Sequence, residues 1–188
     1  MDTYLVTGAA GFIGRSIAAE LLARGKKVRG IDNFSTGKRE NLLGLEAMDF
    51  IEADINDAAA VAEACRGVEC VFHEAAIPSV PRSIEDPVAS NYAGVSGTVQ
   101  LLVAARNAKV RRVVYAGSSS CYGNAPKLPK TEDMIPSPIS PYAVAKLAGE
   151  DVYKRQVQHK PRRNRSPIPV CTRRVVVTIR QGGSTAAS

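Results

Sequence analysis

Short apolar runs alternate with amphipathic stretches along the first 150 residues, and glycines, prolines or carboxylates separate them. The apolar runs predict five strands, at residues 3–7, 28–31, 49–53, 70–73 and 112–116. Apolar residues at helical spacing predict helices over about 13–24, 58–65, 88–108 and from 142 to at least 150. Pro78, Pro81 and Pro87 predict a loop before the long helix. This alternation favours a doubly wound α/β fold, with a parallel sheet covered on both faces.

The net charge of +7 is unevenly distributed along the chain. Residues 1–150 contain 16 Lys and Arg against 17 Asp and Glu, whereas residues 151–188 contain 9 against 1. A near-neutral domain is therefore followed by a basic tail. We expect no nucleic-acid partner, because the domain has no surplus of positive charge for phosphates. No stretch of 18 uninterrupted apolar residues occurs, so we expect no membrane partner either.

The four cysteines, Cys65, Cys70, Cys121 and Cys171, have no CxxC spacing. Reduced thiols are therefore a better interpretation than a disulfide framework or a zinc site, and no metal ligands are predicted. The chain also lacks a basic segment after Met1 that would indicate a secretory signal. Together these features predict a cytoplasmic protein.

A glycine-rich run, GAAGFIG, follows the first predicted strand and opens the first helix at residues 8–14. Glycines here permit a tight turn and close approach of a diphosphate to the helix N-terminus, as in Rossmann-like domains. Asp32 ends the second strand, where a carboxylate accepts both ribose hydroxyls and repels a 2′-phosphate, so NAD is favoured over NADP. An ordinary βα turn is the alternative. Lys38 and Arg39 could hold a 2′-phosphate, but solvated loop charges are the simpler interpretation.

Asp54 and Ile55 follow the third predicted strand. A carboxylate at this position can meet the adenine amino group of a dinucleotide. Taken alone, an aspartate there is more often a helix N-cap, so both interpretations stay open.

Tyr142 and Lys146 are four residues apart on the last predicted helix, which places the phenol and the ammonium on one face. A neighbouring cation lowers the pKa of a tyrosine, so the pair can act as a base near neutral pH. Ser118, Ser119 and Ser120 follow the fifth strand. All these groups would meet at the carboxyl edge of a parallel sheet, where such folds bind ligands.

These motifs together resemble the extended short-chain dehydrogenases/reductases: TGAAGFIG at 7–14, HEAA at 73–76, SSSCYG at 118–123 and YAVAK at 142–146. Residues 73–87 and 128–150 are most similar to the UDP-sugar 4-epimerases of this NAD-dependent epimerase/dehydratase family. The resemblance covers residues 2–150. It implies a Rossmann-like NAD-binding domain, a UDP-sugar substrate and, in the intact protein, a homodimer.

The resemblance also implies a mechanism. Tyr142 takes the proton from the sugar 4-hydroxyl while C4 gives a hydride to NAD, and the hydride returns to the opposite face of the 4-keto sugar. Lys146 holds the nicotinamide ribose and lowers the pKa of the tyrosine. Ser118 hydrogen-bonds the reacting oxygen, a role that Ser119 or Ser120 could share.

We therefore predict three groups of site residues. The catalytic group is Ser118, Tyr142 and Lys146. The cofactor-binding group is Gly8, Gly11, Phe12, Ile13, Gly14, Asp32, Asn33, Asp54, Ile55, Ala75, Ala76, Tyr142 and Lys146. The substrate-binding group is Ser79, Arg82, Ser119 and Ser120.

Departures from the family pattern keep alternatives open. Ser119 and Ser120 stand where related 4,6-dehydratases have an Asp-Glu pair, and Cys121 stands where related decarboxylases have glutamate. Gly94 occupies the place of a family asparagine. The alternatives to an epimerase are another NAD-dependent nucleotide-sugar dehydratase or reductase, and a dinucleotide-binding module without chemistry.

The family pattern stops after Glu150. Residues 151–156, DVYKRQ, are what GAT GTG TAT AAG AGA CAG encodes, the transposon end that tags sequencing libraries. We expect 1–150 to be an NAD-binding domain that is truncated and lacks its substrate domain, and 151–188 to be a chimeric, non-native tail. The apolar run at 175–179 is compatible with a strand but too short to decide. A basic nucleic-acid-binding or disordered extension is the alternative.

Overall fold

The computed structural model describes residues 2–126, 128–131 and 133–158. Strands and helices alternate along these residues, with 3₁₀ turns at Arg39–Leu42 and Ser119–Tyr122 and a π-helical turn at Tyr92–Ser96. The elements in chain order are β1 (Thr3–Thr7), α1 (Phe12–Ala23), β2 (Lys27–Asp32), β3 (Asp49–Glu52), α2 (Ala58–Ala64), β4 (Val68–His73), α3 (Val80–Glu85), α4 (Pro87–Asn91), α5 (Gly97–Asn107), β5 (Arg112–Tyr115) and α6 (Pro141–Gln158).

The five strands form one parallel sheet in the order β3-β2-β1-β4-β5. Thr7 at the end of β1 pairs with Ile31 on one side and with His73 on the other, so three strands end at the same level. The strand order reverses between β1 and β4, and this switch point is where open α/β sheets bind ligands. The predicted doubly wound, Rossmann-like fold is confirmed.

Neighbouring residues of β1 face opposite sides of the sheet, because successive side chains of a strand alternate. Leu5 belongs to a core with Val71, Leu101 and other residues of α2 and α5, whereas Val6 belongs to a second core with Val28 and Met48. Both cores are fully buried at β1. Burial on both faces explains why β1 reads as an unbroken apolar run.

The loop predicted from the prolines is wrong over most of its length, because residues 80–85 form α3 and Pro87 begins α4. Pro81 and Pro87 lie in the first turns of α3 and α4, where the missing N–H of proline costs no hydrogen bond. Ser79 caps α3 by accepting from the Arg82 N–H, and Asp86 caps α4 by accepting from the Ala89 N–H. The prolines therefore begin helices instead of excluding them.

The long helix predicted for residues 88–108 is present as an uninterrupted helical segment, residues 87–107, that contains a π-helical turn. α4 leads into the π-helical turn Tyr92–Ser96, and α5 continues from Gly97 to Asn107. The turn contains Gly94, whose added Cβ would lie 3.0 Å from the Cβ of Ala145 on α6. The wider turn thus coincides with a close approach of two helices.

The last helix starts where the sequence predicts. Ser140 accepts from the Ala143 N–H at 3.2 Å, and Pro141 occupies the first helical position. α6 continues to Gln158, through the proposed boundary at residue 150. The apolar run at 175–179 and Cys171 lie outside the described residues. In the described part, no helix is long and apolar enough to cross a bilayer, and no three His, Cys, Asp or Glu side chains form a potential metal cluster.

Candidate functional site

A cleft of about 260 Å³ opens at the carboxyl ends of β1, β2, β3 and β4. We call it the switch-point cleft, because it lies where the strand order reverses. Its lining includes eleven of the thirteen predicted cofactor-binding residues: Gly8, Gly11, Phe12, Ile13, Gly14, Asp32, Asn33, Asp54, Ile55, Ala75 and Ala76. Tyr142 and Lys146 do not contribute to this lining.

The glycine loop forms one wall of the cleft, and a side chain at Gly8 or Gly14 would collide with neighbouring backbone atoms. Gly8 has a φ of 66°, and a Cβ there would lie 2.8 Å from the Ala75 backbone nitrogen. A Cβ on Gly14 would lie only 2.1 Å from the Gly8 carbonyl oxygen. Gly11, the N-cap of α1, provides no side-chain hydrogen bond to the first turn. The N–H groups in the first turn of α1 therefore have no side-chain acceptor, the arrangement at a helix N-terminus that favours phosphate.

Carboxylates mark the other side of the cleft. Asp32 accepts from the N–H groups of Ala10 (3.0 Å) and Phe34 (2.8 Å), which fixes the carboxylate beside the glycine loop. Asp54 accepts from the Asn33 side-chain amide at 2.7 Å and joins the ends of β2 and β3. The N-cap interpretation of Asp54 is wrong, because the cap of α2 is Asp57.

Arg39, one of the two cations considered for a 2′-phosphate, already has partners. Arg39 contacts Glu52 at 2.6 Å and stacks over the Phe34 ring at 4.2 Å. This pairing agrees with the interpretation of Arg39 as a loop charge.

Ser118, Tyr142 and Lys146 meet beside the end of β5, and we call this group the tyrosine–lysine corner. Ser118 hydrogen-bonds Tyr142, and its hydroxyl also lies 2.7 Å from that of Ser120. The Lys146 ammonium donates to the Ala116 carbonyl at 3.0 Å and lies 5.0 Å over the Tyr115 ring. The structure thus brings together the three residues predicted as catalytic.

Burial dominates the titration of this corner. Burial raises the pKa of Tyr142, and the hydrogen bond from Ser118 partly offsets this shift. Burial also lowers the pKa of Lys146. The expectation that Lys146 lowers the pKa of Tyr142 is therefore not met here. The physical reason is that the ammonium is bound at the Ala116 carbonyl and its charge interacts first with the carboxylate of Glu74.

Sequence reasoning missed two carboxylates that face Lys146. Glu74 lines the switch-point cleft, and burial raises its pKa while Lys146 lowers it. Glu150 is only 5% exposed, and its charge raises the pKa of Lys146. A signal existed for Glu150, because it follows Lys146 by four residues on one helix face. Glu74 could not be found without the strand register, in which the preceding residue, His73, pairs with Tyr115 across β4 and β5.

The predicted substrate residues have mixed surroundings. Arg82 lines a second cleft of about 290 Å³, which shares Ser35, Thr36 and Ile77 with the switch-point cleft. Ser79 is the cap of α3, and Ser119 is exposed. Their contact with substrate stays a prediction.

The family profile described as "NAD dependent epimerase/dehydratase family" matches residues 4–163. The chain belongs to this family. The UDP-glucose 4-epimerase of Mycolicibacterium smegmatis is 48% identical to this family member over 151 residues, which are 78% of this chain and 48% of that relative.

Solved structures agree with this assignment. A UDP-N-acetylglucosamine 4-epimerase from Methanobrevibacter ruminantium, in complex with UDP-N-acetylmuramic acid, superposes with a TM-score of 0.79 at 34% identity, covering 84% of this chain and 51% of that chain. The UDP-glucose 4-epimerase of Thermus thermophilus, in complex with NAD, gives 0.76 at 38% identity, with 83% and 51% covered. This family member therefore spans about half the length of the relatives it matches.

Proposed function

We propose that this protein binds NAD in the switch-point cleft and provides the cofactor-binding and catalytic half of a UDP-sugar 4-epimerase. The observation that carries the proposal is the convergence of eleven predicted cofactor residues on one cleft next to the tyrosine–lysine corner. Relatives solved with NAD and with a UDP-sugar support both parts of it.

The residues present fit a dinucleotide. The Gly8 and Gly14 positions leave a cradle that a Cβ would fill, and the first turn of α1 has no side-chain cap to compete with a diphosphate. Asp32 is fixed by two backbone N–H groups and has lone pairs left for ribose hydroxyls. Asn33 and Asp54 provide an amide and a carboxylate for the adenine.

The chemistry divides between the cofactor and the chain. NAD, when bound, supplies a hydride acceptor that later returns the hydride. Tyr142 takes the proton of the sugar 4-hydroxyl, which requires the phenolate, and returns it when the opposite epimer forms. Ser118, hydrogen-bonded to Tyr142, holds the same oxygen. Lys146 supplies the positive charge that favours the phenolate once its ammonium reorients from the Ala116 carbonyl.

The proposed substrate is a UDP-hexose, and the names of the relatives support this choice. Arg82 in the second cleft and the serines at 79, 119 and 120 are the proposed contacts with it. We further propose that the intact enzyme is a homodimer. The non-catalytic dinucleotide-binding module remains the competing function, and turnover separates the two.

The first test uses the 188-residue chain. Calorimetric titration with NAD and NADP should show binding of NAD and weaker binding of NADP. If NAD does not bind, the proposal fails.

The second test uses a hybrid in which residues 2–150 replace the matching part of the Mycolicibacterium smegmatis relative. Incubation with UDP-glucose or UDP-N-acetylglucosamine, followed by chromatography, should yield the 4-epimer. A hybrid that binds NAD but forms no epimer would favour the binding module.

A further inference from the structure

His73 ends β4 and is only 1% exposed, and both of its ring nitrogens are hydrogen-bonded. Nδ1 lies 2.7 Å from the Thr7 hydroxyl at the end of β1, and Nε2 lies 3.0 Å from the Thr98 hydroxyl on α5. The ring thus joins two strands of the switch point to the helix that follows the π-helical turn.

The donors and acceptors in this chain of bonds determine the tautomer. The Thr98 hydroxyl donates to the Gly94 carbonyl at 2.6 Å, so it has no proton left for His73. Nε2 therefore carries the imidazole proton and donates to Thr98. In a neutral ring Nδ1 is then an acceptor, and Thr7 must donate to it.

The direction of the Thr7 hydroxyl affects the backbone of Glu74 and Ala75 beside the switch-point cleft. With its proton on His73, the Thr7 oxygen is free to accept, and it does so from the N–H groups of Glu74 (3.2 Å) and Ala75 (3.1 Å). Ala75 lines the cleft, and its nitrogen is the atom that a Cβ on Gly8 would strike. Thr7 thus holds the segment after β4 against the glycine loop.

We propose that His73 is a positioning residue for cofactor binding, which acts by orienting the Thr7 hydroxyl so that Glu74 and Ala75 are held against Gly8. The inference rests on the proposed function, because it concerns the cleft that binds NAD. Thr98 and Gly94 form the opposite end of the chain of bonds and fix the tautomer.

Two substitutions of His73 distinguish the hydrogen bond at Nδ1 from the one at Nε2. In His73→Asn the side-chain oxygen occupies the topological place of Nδ1 and can accept from Thr7, but nothing reaches Thr98. In His73→Gln the side-chain nitrogen occupies the place of Nε2 and can donate to Thr98, but the bond to Thr7 is lost. Both variants lose the ring, so both lose similar packing.

The experiment measures NAD affinity by calorimetry and amide hydrogen exchange at residues 74 and 75. For His73→Asn we expect a Kd within about threefold of the wild type, and for His73→Gln a Kd raised by about tenfold or more, with faster exchange at both amides. Equal affinity and equal exchange in the two variants, or the reverse order, would overturn the inference.

A second pair serves if the His73 variants do not fold. Thr7→Ser keeps the hydroxyl and should keep protection of the two amides, whereas Thr7→Val keeps the shape and should lose it. Equal protection in Ser and Val would overturn the inference. Failure of the wild type to bind NAD would reject the proposed function, while the exchange data would still decide the role of His73 and Thr7.

Discussion

The switch-point cleft and the tyrosine–lysine corner lie at one edge of the sheet but differ in what they are made of. The cleft is open, with the closely spaced backbones of Gly8, Gly14 and Ala75 on one side and the carboxylates of Asp32 and Asp54 in its lining. The corner is buried: Lys146 is 5% exposed, and burial shifts the pKa values of both Tyr142 and Lys146 toward their neutral forms.

This difference indicates a division of labour. On the side of the glycine loop, the cleft can recognise a ligand by its shape and by backbone N–H groups. In the buried corner, loss of hydration disfavours the charged form of Lys146. The charges of Glu74 and Glu150 counteract this effect, so the ionisation of Lys146 depends on them. Substitutions in the cleft should therefore change affinity or folding, and substitutions in the corner should change turnover.

The largest difference between the effect on turnover and the effect on NAD binding is expected for Tyr142→Phe in the hybrid enzyme. Loss of the phenol removes the base and keeps the ring, so turnover should fall by about 10²- to 10⁴-fold while the Kd for NAD stays within about threefold. Product chromatography and calorimetry measure the two effects. Tyr92→Phe is the control, because Tyr92 is 56% exposed. Retention of most activity in Tyr142→Phe would contradict the assigned role.

The corresponding test of the cleft is the substitution Gly8→Ala. Gly8 and Gly25 have similar backbones, with φ of 66° and 69°, but a Cβ strikes Ala75 only at Gly8 and meets nothing within 4 Å at Gly25. Gly8→Ala should therefore cost about 2 kcal/mol more unfolding free energy than Gly25→Ala, and it should also abolish NAD binding. Urea unfolding of both variants measures the difference. Similar losses would show that the contact with Ala75 is unimportant.

The third prediction concerns how the free energy of unfolding depends on pH. Burial, with a smaller effect of the Lys146 charge, lowers the pKa of His73 from 6.5 to about 3. Between these values only the unfolded chain binds the proton, so stability is lost as pH falls below 6.5, by about 1.4 kcal/mol per pH unit. Urea unfolding between about pH 7 and 5 should therefore show a drop about 2 kcal/mol larger in the wild type than in His73→Asn. Parallel pH profiles would contradict this assignment.

The smallest effect is expected for Asp32. Asp32→Ala removes the acceptor of two backbone N–H groups and of the ribose, so NAD should bind about tenfold more weakly. Asp32→Asn is the matched variant: it removes the charge that repels a 2′-phosphate, so the preference for NAD over NADP should shrink. Paired titrations with the two dinucleotides measure this ratio. A wild type that prefers NADP would reject the interpretation of Asp32.

Much of the cleft could be predicted from the sequence because its signals are local. The glycine spacing and the carboxylate ending β2 each lie within one βα unit, and the structure places both in the lining. Prolines misled the prediction at residues 78–87, since the same residue breaks a helix interior and begins a helix. Only a capping side chain, such as Ser79 or Asp86, distinguishes the two cases.

The corner shows the other limit. The four-residue spacing of Tyr142 and Lys146 determined that they share a helix face, but their ionisation depends on groups that come from other strands. Glu74 meets Lys146 only because β4 and β5 are neighbours in a particular register.

By itself, the sequence determined the alternation of strands and helices, the glycine loop and the identity of the reactive side chains, since each depends on residues close together in the chain. Tertiary structure alone decided the tautomer of His73, the charge balance around Lys146 and the π-helical turn around Gly94. These properties arise where β1, β4, α5 and α6 pack together. Burial at these contacts determines the free energy of each charged group. The neighbouring side chains and carbonyls determine which group donates in each hydrogen bond.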